Sequence, residues 1–207
     1  SSIPPKTFKR NEYGLLADPP IPYVYNEDGS VNWRKMIRPE FLVANKQRTQ
    51  ETDISKLEDK DLLILLGGIK ELAQIRGFTC VSYDVPEAGP NYVIASCYIN
   101  WIGNYETSNA DVSFQSLADA SPDNTQSFAR NYLAAIAENR AFVRCVRNFL
   151  KINIVGQEEI GVKVIDEPGS DNPMSPAAVL HSLMKEKGVS FDQIQKRLIK
   201  DKYEKAE

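Results

Sequence analysis

The chain has 207 residues, with 25 basic against 28 acidic side chains, a net charge of −3 and 42% hydrophobic residues. That balance is ordinary for a globular protein and excludes a wholly basic, histone-like nucleic-acid binder, while leaving room for a focused basic groove. No run approaches the ~20 apolar residues of a membrane-spanning helix, and the opening SSIPPKTFKR lacks the apolar centre of a signal peptide.

Residues 1–57 read as an extended arm and loop. Pro4, Pro5, Pro19, Pro20 and Pro22 forbid a continuous helix. Asn26–Ser30 is a turn, and Trp33 is expected to anchor in a core. A core unit is expected over 58–165. It opens with a helix over Glu58–Arg76, which carries Leu62, Leu65, Leu66, Ile69 and Leu72 at helical spacing and ends at Gly77. Gly67 and Gly68 inside that helix cost about 1 kcal/mol each relative to Ala, so close approach of another backbone is expected there.

Three strand-like runs follow: Phe78–Val85, Tyr92–Trp101 and Ala110–Leu117. Short turns between them predict a three-stranded antiparallel meander. Residues 123–151 then read as one long helix. At about 100° per residue, Arg140, Arg144, Arg147 and Lys151 fall within roughly 60° of one another. They form a stripe with no counter-charge of its own, a footprint for a polyanion. Residues 152–163 suggest a return strand or extended exit, and 166–175 (DEPGSDNPMS) a linker. A helical pair is expected over 176–207, too small for a strong core of its own and suited to docking. The predicted class is α+β: a three-stranded antiparallel meander flanked by helices, in the order α-β-β-β-α, with a small C-terminal helical pair.

The sequence offers no catalytic constellation. His181 is the single histidine, and neither a phosphate-binding glycine loop nor a metal-type Cys/His spacing is present. Asp111, Asp119, Asp123 and Glu138 read as turn and cap residues rather than a metal site. Cys80, Cys97 and Cys145 are widely spaced and flanked by apolar residues, as expected of buried free thiols in a reducing cytoplasm. No catalytic residue, cofactor or metal is expected, and the protein is expected not to be an enzyme.

The segments YVIASCYINW, ADVSFQSLADAS and AENRAFVRCVRNFL together resemble the core of the single-strand annealing recombinases, the Rad fifty-two, Erf and Redβ/RecT group of phage and eukaryotic proteins. The resemblance covers roughly Gly77–Ile154. It implies a sheet followed by a basic helix that lines a groove for single-stranded DNA, in a cytoplasmic homo-oligomer, ring or filament, that promotes strand annealing in recombination, repair or replication. Arg140, Arg144, Arg147 and Lys151 would neutralise phosphates, with Arg130 further along. Tyr98, Trp101 or Tyr105 would stack a base.

A second resemblance, carried by IKELAQIRGFTCVSYDVPEAGPNYVIASCYI, is to the first half of a double-stranded-RNA-binding domain. Here Asp123, Asn124 and Gln126 stand where that family has its lysine clamp for duplex phosphates. A third reading is an assembly or adaptor protein whose arginine ridge and helical tail meet protein partners.

Overall fold

The computed structural model describes residues 8–161, with Ser127 and Phe128 described by backbone alone. The expected linker and C-terminal helical pair lie outside the described residues. The fold is α+β: an antiparallel sheet of three strands, a second small sheet, and helices.

The main sheet joins β3 (Phe78–Gly89), β4 (Tyr92–Trp101) and β5 (Val112–Ala120) in the order β3-β4-β5, antiparallel throughout. The alternation in β4 sorts its two faces. Val93, Ala95, Cys97, Ile99 and Trp101 are buried, whereas Tyr92 and Tyr98 are exposed on the other side. Helix α2 (Leu133–Phe149) covers the buried face. Its own inward residues include Ala137, Ala141, Val143, Cys145 and Val146. Small side chains at Ala95, Ala137 and Ala141 let helix and sheet approach closely. At the C-terminal end of α2, Phe149 stacks on Trp101 at 4.6 Å between ring centroids, with Phe78 edge-on to Trp101 at 6.2 Å. Trp101 is fully buried and Phe78 and Phe149 partly so; full burial of a large apolar side chain contributes roughly 1.5–3 kcal/mol. Hydrogen bonding to Cys145, together with burial, pushes the Cys97 thiol up, so it stays neutral in the core. Cys80 differs from expectation: it is an exposed free thiol on the open face.

Pro86 does not end β3. The strand runs on to Gly89 through a register shift between Asp84 and Glu87. A bulge and a proline that cannot donate to a ladder both blunt a sheet edge.

The expected helix over Glu58–Arg76 is three elements instead. A 3₁₀ turn at Asp59–Asp61 leads into β2 (Leu62–Ile64), and α1 spans Leu66–Arg76. All three residues of β2 are buried, so helical and strand periodicity look alike over that run. Partners decide the outcome: β1 (Leu42–Ala44) pairs antiparallel on one side and β6 (Val155–Gly156) parallel on the other. Gly67 and Gly68 therefore lie in the first turn of α1, and what approaches them is a side chain. A Cβ on Gly67 or Gly68 would meet Phe41 at 2.9 or 2.7 Å. Gly77 ends α1 with φ +83°.

The long helix expected from residue 123 begins only at Leu133. Before it come 3₁₀ turns at Pro122–Asn124 and Ser127–Tyr132. Asn124 explains part of the delay, because its side chain accepts from Ser121 N at 2.8 Å and donates to Asp119 at 2.8 Å. Side chains that bond the local backbone compete with helix formation.

The N-terminal segment belongs to the core. Leu15, Leu16, Val31, Trp33, Met36 and Ile37 are all buried. Isolated bridges Arg10↔Leu16 and Tyr25↔Val31 fold it into two bends.

Candidate nucleic-acid interface

The arginine stripe on α2 is a fastening. Arg140 is only 6% exposed. Its guanidinium donates to the carbonyls of Glu158, Asp119 and Asn124 and to Asn124 Oδ1, at 2.5–2.9 Å. Burial pushes it below its ordinary value. Arg144 and Arg147 converge on Glu159, at 3.2 and 2.7 Å, and the Glu159 side chain is 3% exposed. Arg144 also donates to Leu117 O and Arg147 to Ile152 O. Glu159 accepts in addition from Gly156 N at 2.9 Å. The expectation of an uncompensated ridge is thus corrected for these three residues. The counter-charge comes from the 3₁₀ turn Gln157–Glu159, outside the helix itself. Arg140 and Arg144 hold carbonyls of edge strand β5, two residues apart.

The other expected residues scatter. Arg130 is exposed on the turn Ser127–Tyr132. Trp101 is fully buried against Phe149, where no base can stack on it. Tyr98 stands on the open face of the sheet, with its hydroxyl 2.5 Å from Ser113 Oγ. That face is a hydrogen-bonded polar layer: Asn100 joins Thr79 and Ser113, and Gln115 joins Ser96. Strands β3, β4 and β5 contain no Lys or Arg, while Asp84, Glu87 and Asp119 are acidic. Phosphate has no attraction to this face.

Lys151 leads elsewhere. It follows α2 with φ +57° and lines a cleft of about 430 Å³. Arg34, Lys35 and Arg76 line the same cleft, with Glu106 as the single carboxylate among the lining residues. Local structure sets up this wall. Asn32 caps the turn Trp33–Met36 by accepting from Lys35 N at 3.0 Å. Arg34 is steadied by Asp59 at 2.7 Å. Asn26, Ser30 and Asn32 complete a polar margin.

Among the described residues no tyrosine lines the cleft, but two adjoin its lining residues. Tyr25, half exposed, precedes Asn26, and its bridge partner Val31 lines the cleft. Tyr105 precedes Glu106 and donates to Gly29 O at 2.6 Å. Exposed Tyr13 meets Tyr105 edge-on at 6.2 Å. Burial, followed by the nearby Glu106 charge, pushes the Tyr105 phenol up to about 12. The structure therefore joins two expected residues, Lys151 and Tyr105, to a set that was not expected: Arg34, Lys35, Arg76 and Tyr25. The adjacent Arg34-Lys35 pair beside Trp33 was the available signal.

A larger hollow of about 760 Å³ lies between Val43–Gln47 and α2, but its arginine, Arg140, is already saturated. Among the described residues no group of His, Cys, Asp and Glu is placed to hold a metal ion, and no helix is long and apolar enough to cross a membrane. Comparison of the chain with protein-family models, with curated proteins and with solved structures finds no match.

Proposed function

We propose that the protein binds single-stranded DNA without bond-making chemistry and promotes strand annealing, as part of recombination, repair or replication. The observation that carries this reading is the cleft lined by Arg34, Lys35, Arg76 and Lys151, with Tyr25 and Tyr105 next in the chain to its lining residues Asn26 and Glu106. Cations neutralise backbone phosphates, and tyrosine faces accept bases regardless of sequence. In this reading Lys35 and Lys151 contact phosphates, and Tyr25 and Tyr13 stack bases. Arg140, Arg144 and Arg147 act only through the fold. The core, a sheet packed under a helix, supports the annealing class by its general order of elements. A homo-oligomer would join several clefts into one track, and the C-terminal segment would contact a partner.

The test is fluorescence anisotropy with labelled oligo-dT and a duplex of equal length, across a salt series. The expected result is preference for the single strand, weakened at least tenfold in a Lys35→Gln/Lys151→Gln variant. Unchanged affinity in that variant would remove the cleft from the interface. Tighter binding to duplex RNA would favour the duplex reading instead.

The open sheet face favours a second reading. Tyr92, Tyr98 and Leu117 are exposed there beside Asp84, Glu87 and Asp119. Such a face suits an adaptor that docks a basic protein, and absence of binding to any nucleic acid at low salt would bring that reading forward.

A further inference from the structure

Two arginines of this fold are buried without a carboxylate in ion-pair range among the described residues, and they differ in what they touch. Arg140 is saturated by four oxygen acceptors. Arg76, at the end of α1, is 3% exposed and has one, Ile102 O, at 2.5 Å. Its other contact is the face of Phe149, with Cζ 5.6 Å from the ring centroid. That contact attracts a cation but does not neutralise it. Burial pushes Arg76 below its ordinary value and the Arg10 guanidinium adds to that, opposed by the charges of Glu106 and Asp111 beyond ion-pair range. A buried cation with no carboxylate in ion-pair range is unfavourable. Arg76 lines the cleft described above together with Lys35 and Lys151, and Glu106 is the one carboxylate among the lining residues.

We propose that this cleft is a discrete site for a phosphomonoester dianion, the phosphorylated end of a strand, with Arg76 at its floor and Lys35 and Lys151 at its rim. A dianion offsets a buried cation better than a monoanionic diester does. A chain end also reaches the floor of a recess, whereas a continuous backbone, leaving in two directions, passes along its rim. At about 430 Å³ the cleft has the size of a small-molecule site, so it takes the terminal nucleoside as well as its phosphate. The source of the phosphate rests on the single-strand reading; the phosphate site itself does not.

Two measurements on the full chain test this. The first is anisotropy with oligo-dT carrying a 5′-phosphate, a 3′-phosphate or neither. The second is thermal unfolding in inorganic phosphate against chloride at equal ionic strength. One phosphorylated end is expected to bind about tenfold tighter than the unphosphorylated strand. Phosphate is expected to raise Tm in the natural protein and less in the Lys35→Gln/Lys151→Gln variant. Arg76→Gln also loses its Ile102 contact and can fail to fold. Arg76→Lys keeps the charge but not the planar fork, and should keep most of the Tm while losing most of the end preference. Equal affinity for all three strands with no phosphate-specific rise in Tm overturns the site and leaves single-strand binding standing. A phosphate-specific rise removed by the rim variant, without binding to any strand, upholds the site and overturns the single-strand reading.

Discussion

Glu159 is the residue on which the α2 arginines depend. It is nearly inaccessible, receives Arg144 and Arg147, and accepts a backbone N–H from Gly156. Removing one member of a buried charge cluster leaves the others uncompensated. Glu159→Ala is therefore expected to lose about 3 kcal/mol in urea denaturation, whereas Lys151→Gln, at an exposed position, should change stability little. Tyr105 gives a pH signature. Its pKa lies above the ordinary value, so its contribution is fully present below pH about 10 and lost as pH rises through about 12. The deficit of Tyr105→Phe relative to the natural protein should be constant from neutral pH to about 10 and shrink above it, read by thermal unfolding across pH.

At the scale of elements, the contact between Phe41 and the start of α1 separates two adjacent glycines. A Cβ on Gly67 meets the outer ring of Phe41, which can swing, while one on Gly68 meets Phe41 Cβ, next to the backbone. Gly68→Ala should then be destabilising by about 1–3 kcal/mol, more than Gly67→Ala, where gained helix propensity of about 1 kcal/mol offsets the crowding. Chemical denaturation of the two variants checks the order. The main sheet was legible in the sequence because β4 alternates and its turns are short. Helix α2 was legible in its second half, where Val143, Val146 and Leu150 are buried as expected. The irregular stretch 123–132, expected as the start of that helix, was not, since the bonds of Asn124 to Ser121, Asp119 and Arg140 replace helix formation there. The run Leu62–Ile64 was misread for a related reason: a fully apolar stretch carries no period, and its state follows from its strand partners.

Across the whole molecule, net charge says little about where an anion goes. The protein is acidic overall, its main sheet carries no cation, and three of the four cations in the strongest stripe of the sequence are tied into the fold. What remains concentrated is the cleft, assembled from four distant stretches around residues 34, 76, 106 and 151. No window of sequence contains it, which is why only Lys151 and the neighbouring Tyr105 were legible beforehand. Helical periodicity reports which residues share a face, not what covers that face. If the cleft is the interface, the log–log salt slope for oligo-dT should become shallower by about 0.7 for each of Lys35 and Lys151 replaced. Replacing Arg130, outside the lining residues of the cleft, should leave the slope unchanged.

The pairing of Val155–Gly156 with Leu62–Ile64 has a consequence for how the protein comes into being. On a ribosome the sheet, α1 and most of α2 are made first, with Arg144 and Arg147 facing no carboxylate and β2 lacking its parallel neighbour. Residues 155–159 deliver the missing strand and the missing charge in one step. Contacts this far apart in sequence are slow to form and late to reward the chain. The nascent protein is thus expected to reach its native state only once that turn has emerged, and a chain cut just before it is expected to be digested faster by a protease than the natural protein.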